Sequence, residues 1–326
     1  MRLDDPSLFA DVSDFFGIGN PAIAEKDYYI VQLLKLLCHF DPQYHILVFA
    51  GGTALTKADL KLHRMSEDVD IKLVIRPDAG ELSGNAMRKE RRELRDRLLE
   101  LIDQHEIFSV DKESIKTLDE HRYIEIPIEY PQQFNRAPCL RPFIKLELVE
   151  TELLAGYEVM PVRSLLAEAM ERDAEVAAFN TVYLIATHAE KILSMLRRTA
   201  WVNRYPQRSN DDETLVRHIY DSYYLQQSKA FAIHELAELL ARGIDMDRKR
   251  YGNQHPEFVS DPLRELRYGL ALLGKTVLYR ERYEAFVNPM VYGDKLAWAA
   301  AFDLFAKVAT QVLDHIEQYA LLKASD

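Results

Sequence analysis

The sequence predicts an α+β chain, with a mixed sheet flanked by helices over residues 1–160 and an all-helical domain over residues 161–326. Three observations carry this. Segments that alternate aliphatic and polar residues at period two, as strands packed on one face do, fall only in the first half. Beyond about residue 160, apolar residues recur at helical spacing in one segment after another. A length of 326 residues accommodates two domains.

The elements follow in order. Glu25 to Phe40 forms a helix, with Tyr28, Tyr29, Val31, Leu34 and Leu37 among its apolar positions. His45 to Ala50 is a short apolar run ending at a glycine pair, which marks a buried strand. A short helix spans Thr53 to Leu60. Asp68 to Ile75 alternates carboxylate and aliphatic residues as a strand, and Pro77 ends it. Ala86 to His105 is a highly charged helix with Leu94, Leu98, Leu99 and Ile102 on one side. Arg122 to Tyr130 and Pro142 to Glu150 are two more strands, alternating Ile124, Ile126 and Ile128 in one and Ile144, Leu146 and Leu148 in the other. The second half reads as helices at Val162 to Arg172, Thr181 to Trp201, Asp212 to Gln227, Ala232 to Arg242, Pro262 to Leu272 and Lys295 to Lys323, with no strand expected among them.

Hydrophobic residues make up 48% and charged residues 29%, the balance of a water-soluble globular protein. Cys38 and Cys139, the two cysteines, form neither a disulfide framework nor a zinc pattern, which fits a reducing cytoplasm. The acidic N-terminal segment has no apolar core of a signal peptide, and no apolar run is long enough to span a membrane. The net charge of −11 argues against a surface coated for nucleic-acid binding but leaves room for one local basic groove.

Chemistry concentrates in two short segments. In Phe49-Ala50-Gly51-Gly52-Thr53-Ala54-Leu55 the chain passes from strand to helix through two glycines, which lets backbone approach a ligand closely. The helix start offers N–H groups to a phosphate, and Thr53 adds a hydroxyl or caps the helix. In Arg64-Met65-Ser66-Glu67-Asp68-Val69-Asp70-Ile71, Asp68 and Asp70 project together while Val69 and Ile71 face the core. Paired carboxylates repel unless cations sit between them, and two magnesium ions bridging to phosphate oxygens would satisfy them. Either segment alone reads as an ordinary turn or a polar strand end. Together they set a phosphate cradle beside a metal site.

The stretch GGTALTKADLKLHRMSEDVDIKL resembles the polymerase-beta-like nucleotidyltransferases, and within them the AbiEii/MenT family of abortive-infection and toxin–antitoxin toxins. Glu25-Lys26-Asp27-Tyr28, Thr187-His188-Ala189-Glu190-Lys191 and Arg217-His218-Ile219-Tyr220-Asp221 resemble further motifs of that family, so the likeness runs from about residue 25 to about residue 225. It implies a polymerase-beta-like core, an NTP as donor, two magnesium ions, release of pyrophosphate, and a helical domain completing the nucleotide and acceptor cleft. For some members it implies the 3′ end of tRNA as acceptor, and it implies an antitoxin partner. Two other functions fit the same residues: transfer to a small cationic molecule of aminoglycoside type, and a non-catalytic nucleotide-binding module.

Asp68 and Asp70 are the candidate metal ligands. Glu147, sharing a strand face with Lys145, is the candidate third carboxylate for metal and catalysis, with Glu125 its competitor and a cross-strand ion pair the bland alternative. Gly51, Gly52 and Thr53 would hold the triphosphate, with Lys57, Arg64 and Ser66 as further contacts; Lys57 and Arg64 read equally as surface cations, and Ser66 as a turn cap. Lys191, on a helix stripe with Thr187, Ser194 and Arg198, would reach a phosphate, or the stripe is a solvated face. The resemblance makes Asp221 a positioning group for Lys191 or the base, whereas spacing alone would pair it with Arg217. Tyr220, Tyr223 and Tyr224 read as helix packing. The arginines and lysines between Arg88 and Arg97 read as salt-bridged within their helix. Arg197, Arg198, Arg204, Arg208 and the Arg248-Lys249-Arg250 run are the candidates for a basic groove.

Overall fold

The computed structural model describes residues 5–58, 60, 62–136, 139–208 and 211–325. The chain divides into two compact units, Met1–Val182 and Tyr183–Asp326.

The first unit opens with helices α1 (Leu8–Phe15) and α2 (Pro21–Leu37). Asn20 caps α2, its side chain accepting from the Ala22 N–H, and Pro21 sits at the first turn where its missing donor costs nothing. Strand β1 (His45–Ala50) runs into α3 (Gly51–Lys57). Then come β2 (Asp68–Ile75), α4 (Gly84–Asp103), and the short β3 (Ser109–Val110) and β4 (Lys116–Leu118). The unit continues through β5 (Tyr123–Glu129), β6 (Ile144–Glu150), β7 (Tyr157–Val162), α5 (Leu165–Ala169) and β8 (Val176–Val182). The sheet is mixed. Its order is β3-β5-β6-β2-β1-β8-β7, with β4 also on β5; β2–β6 and β1–β8 are parallel and the other pairs antiparallel.

Alternation along the central strands separates two faces. Val69, Ile71, Leu73, Ile124, Ile126, Ile128, Ile144, Leu146 and Leu148 are buried on one side. Asp68, Asp70, Lys145, Glu147, Tyr123 and Glu125 occupy the other, each partly accessible. That second face carries the chemistry.

Two expectations are corrected here. The region after residue 160 is not free of strands: β7 runs through it and β8 follows, so the sheet continues to Val182 and the break between units falls there rather than after residue 160. The reason is positional. β8 lies between β1 and β7 and is buried without clean alternation (Val176, Phe179, Thr181 and Val182 inside), so it lacks the period-two signature of a one-faced strand. The helix expected at Val162 to Arg172 shrinks to α5, and the one expected from Thr181 begins at Leu184.

The second unit is helical: α6 (Leu184–Arg204), α7 (Arg217–Lys229), α8 (Ile233–Tyr251), α9 (Pro256–Ser260), α10 (Pro262–Lys275), α11 (Val277–Met290) and α12 (Trp298–Ser325). The patterns did not resolve α1, α9 or α11. Helices α6 and α10 cross closely, because Gly269 lies directly on the Leu196 carbonyl where any Cβ would collide. Among the described residues, no helix is long and apolar enough to cross a membrane.

Candidate active site

The strand-to-helix turn and the start of β2 interlock. Ala50 pairs with Asp70 across β1 and β2, so the next residue, Gly51, faces the Asp70 carboxylate. Gly51 has φ +75°, and a Cβ built there would overlap the Asp70 carboxylate. Only glycine combines that dihedral with that approach. A Cβ on Gly52 would meet Arg64 Nη2 and Ser66 Oγ, both at 2.9 Å. Thr53, fully buried, shares a hydrogen bond with the Ser66 hydroxyl at 2.9 Å and donates to the Asp68 carbonyl. Its hydroxyl thus ties α3 to the start of β2, leaving backbone to face a ligand. Arg64 is buried, donating to the Met65 carbonyl at 3.0 Å, and is no surface cation.

Asp68 sits among cations that the patterns did not single out. Arg141 Nη2 lies 2.9 Å from Asp68 Oδ1, and Lys145 Nζ lies 3.7 Å from Oδ2. Arg141 is itself anchored: its Nε donates to Glu67 Oε1 at 3.0 Å and its backbone N–H to Glu67 Oε2 at 2.8 Å. Lys26, wholly buried, closes the network by donating to Glu67 and to the Arg141 carbonyl. Burial opposes ionisation of Glu67, but Lys26 and Arg141 outweigh it and hold its carboxyl below the usual range. Burial likewise works against the Lys145 ammonium, and Asp68 and Glu147 more than compensate, raising its pKa.

The motif Glu25-Lys26-Asp27 thereby acquires a physical role. Glu25 accepts from the Gln133 and Phe134 N–H groups, Lys26 holds Glu67 and residue 141, and Asp27 pairs with Lys57 and accepts from the Leu165 N–H at 2.7 Å. Three successive buried charges grip segments far apart in the sequence, around residues 57, 67, 133–141 and 165. Lys57 is therefore neither a surface lysine nor positioned on the turn: both it and Asp27 are under 10% exposed and committed to each other.

Glu147 lies beside Asp70 in register on the neighbouring strand, and Glu125 lies opposite Glu147 one strand further out. Lys145 pairs with Glu147 along its own strand, and Lys116 pairs across strands with Glu125 at 2.7 Å. The three-carboxylate ligand set Asp68, Asp70 and Glu147 is consequently not gathered. Among the described residues, no three carboxylate, imidazole or thiol side chains stand close enough to hold one ion. The Lys145 ammonium reaches both Glu147 and Asp68, so their charges are met by a side chain of the fold. Asp68 and Asp70 alone still suit magnesium, which takes one or two carboxylates and fills its shell with water and substrate phosphate. Asp68 Oδ1 is buried and its charge is met by the Arg141 guanidinium at 2.9 Å, the contact an ion would have to displace or share.

In the helical unit Lys191 Nζ lies 2.7 Å from Asp221 Oδ2, and both side chains are buried. Asp221 thus meets Lys191, while Arg217 donates to Thr214 Oγ1 at 3.1 Å and lies 4.0 Å from Asp212. Thr187 is buried with Lys191, so the stripe is not a solvated face. One turn before Lys191, His188 is buried against Phe231 with neither ring nitrogen hydrogen-bonded; burial, then the Lys191 charge, press its pKa down to about 3.

The basic clusters are largely neutralised where they stand. Lys89 meets Glu93, Arg97 meets Glu90 and Arg91 meets Glu150. Arg197 is bound to Asp247, Arg198 to Asp212, and Arg204 to Glu265. Tyr220, Tyr223 and Tyr224 pack on one another, with ring centroids 4.9 Å and 5.5 Å apart along the series, as helix packing requires.

Comparison with known proteins gives this geometry its context. No curated protein sequence matches the chain. Among solved structures it is similar to MenT4, a nucleotidyltransferase toxin from Mycobacterium tuberculosis H37Rv, with TM-score 0.55 and 19% identity over 94% of this chain and 89% of that one. At that identity the likeness is one of fold. A candidate nucleotidyltransferase from H. pylori lies further off, with TM-score 0.40 and 13% identity over 91% of this chain and 96% of that one. The family model for nucleotidyl transferase AbiEii toxin, Type IV toxin–antitoxin system, matches residues 35–307. Those residues include the glycine turn, the paired aspartates, Lys191 and Asp221, and the chain belongs to the AbiEii nucleotidyltransferase toxin family.

Proposed function

We propose that this nucleotidyltransferase moves a nucleoside monophosphate from an NTP to the 3′-terminal hydroxyl of tRNA in a magnesium-dependent reaction. It thereby acts in the cytoplasm as the toxin of a toxin–antitoxin pair whose antitoxin restrains it. The observation that carries the reading is the Asp70 carboxylate lying on Gly51, with Asp68 two residues before it on the same strand face. Asp68 and Asp70 would hold the metal, which when bound supplies charge to the triphosphate and lowers the pKa of the attacking hydroxyl.

The chain's own residues do the rest. Gly51 and Gly52 bring backbone up to the triphosphate without a side chain in the way. Arg64 and Ser66, packed against Gly52, would take phosphate oxygens. Glu147, in register with Asp70 on the neighbouring strand while Glu125 is one strand further out, would accept the proton of the acceptor hydroxyl once Lys145 yields it. Within the helical unit, Lys191, held by Asp221, would offer a cation to a phosphate.

Incubating the protein with total tRNA, magnesium and each α-labelled NTP in turn tests this. Label on tRNA with one NTP, absent in Asp70→Ala, is expected. No label with any NTP overturns the tRNA acceptor. Neutralisation of Arg197, Arg198 and Arg204, with the net charge of −11, favours a second reading in which a small cationic molecule is the acceptor, and labelled aminoglycosides in the same assay decide it. A cellular effect unchanged in Asp70→Ala would point instead to a binding module.

A further inference from the structure

We propose that Arg141 is a switched counter-ion and a ligand of the donor triphosphate. Without metal its guanidinium neutralises Asp68, and once a divalent ion takes Asp68 the same edge turns to a phosphate oxygen. This rests on the reading of Asp68 as a metal ligand.

The geometry points to it through the division of labour within one side chain. Arginine presents its donors in a rigid fork. One side of that fork, Nε, is fixed on Glu67 at 3.0 Å. The residue's own backbone is fixed at both polar atoms, N–H to Glu67 and carbonyl from Lys26. The base of the side chain is thus held by buried charges that belong to the fold. The other side, Nη2, rests on Asp68 at 2.9 Å, and the side chain keeps 34% of its surface open to solvent. A group anchored at the root and accessible at the tip can exchange one anion for another without moving the loop.

Asp68 is also the anion that an incoming ion removes. A divalent cation carries twice the charge of the guanidinium and binds carboxylate oxygen directly, so it competes with the guanidinium for Asp68 Oδ1 and weakens that contact. Lys145, the other cation within reach of Asp68, has Glu147 to fall back on. Among the described residues, Arg141 Nη2 pairs with no other carboxylate. The nearest new anions are the phosphates brought by the metal, and planar two-point binding of phosphate is what a guanidinium does best.

Titration calorimetry of the full chain with Mn2+ alone, and separately with magnesium tripolyphosphate, tests this without knowing the base or acceptor. Wild type, Arg141→Gln, Arg141→Lys and Asp68→Asn are compared. Removing a competing, partly exposed cation should tighten Mn2+ binding by about threefold to fivefold in Arg141→Gln. Losing a charged phosphate contact should weaken tripolyphosphate by about tenfold in the same variant. Arg141→Lys should leave Mn2+ affinity near wild type and still weaken tripolyphosphate. Should Arg141→Gln fail to fold, Arg141→Lys decides alone, and tripolyphosphate affinity unchanged in it overturns the proposal. Equal weakening of both ligands in Arg141→Gln would mean Arg141 merely braces its loop, and unchanged Mn2+ affinity would mean it does not compete; either result overturns the proposal. If Asp68→Asn abolishes Mn2+ binding in these cases, the metal site stands and only Arg141 falls. If Asp68→Asn binds Mn2+ as wild type does, the metal reading falls and takes this proposal with it.

Discussion

Gly51→Ala is the sharpest perturbation the site offers. The residue has φ +75°, where an L side chain costs about 1–2 kcal/mol in backbone strain. For a unit of the size of Met1–Val182, that corresponds to a fall in Tm of roughly 2–8 °C. The chemical effect should be much larger. The new Cβ falls inside the Asp70 carboxylate, so either Asp70 or the turn must shift by about 1 Å, a displacement that typically costs about 100-fold in rate. The assay is the initial rate of label transfer at saturating magnesium and NTP, alongside calorimetric unfolding. Gly52→Ala is the internal comparison: its Cβ meets only the ends of Arg64 and Ser66, which can give way, so the loss should be about tenfold or less. A Gly51→Ala enzyme that keeps wild-type rate with an unchanged Tm would refute the argument that this contact sets the position of Asp70.

Three further outcomes are expected. Lys57→Met strands the buried Asp27 carboxylate, at a cost of about 3–5 kcal/mol, and should lower Tm by about 10 °C without altering KM for the NTP in the folded fraction; a KM effect at constant Tm would return Lys57 to the phosphate. A double-mutant cycle on Lys191→Met and Asp221→Asn, read by urea unfolding, should show coupling above about 1 kcal/mol, and additive effects would dissolve the pair. The stability of the helical unit should fall with acid: unfolded His188 takes up a proton near 6.5 while the folded chain resists until about 3, so the contribution is complete above 6.5 and is lost as pH drops through that window. His188→Gln should flatten this limb in urea titrations run at successive pH values, and an identical limb in the variant would assign it elsewhere.

The legible parts of the sequence were those where one side of an element is packed and the other is not. Asp68–Ile75 and Ile144–Glu150 alternate because their inner residues are buried and their outer ones meet solvent, and both were placed to within two residues. β8 was missed because its position inside the sheet erases that alternation. In the candidate site, the glycine pair and the Asp68/Asp70 pair stand out by spacing, whereas Lys191 stands out only by its resemblance to a family motif. Arg141 does not stand out, because it sits in a loop with no period, and its partner Glu67 and clamp Lys26 are charges that pattern reading assigns to solvent. One signal was available: a cation three residues ahead of β6, whose first turn of register, Lys145 on Asp68, brings that end of the strand beside the aspartates.

The clamp formed by Glu25, Lys26 and Asp27 also bears on how the chain comes to be folded. Their partners lie far along the sequence, at Lys57, Glu67, Gln133, Phe134, Arg141 and Leu165. While the chain is being synthesised, α2 emerges with three ionised groups that it cannot bury until a further segment of more than a hundred residues has followed. Contacts of such sequence separation slow folding, since the loop must close before they reward it. A chain cut short of Gln133 leaves Glu25 without its donors, and one cut short of Leu165 leaves Asp27 with only one of its two partners, so shortened products should fail to collapse into an active core.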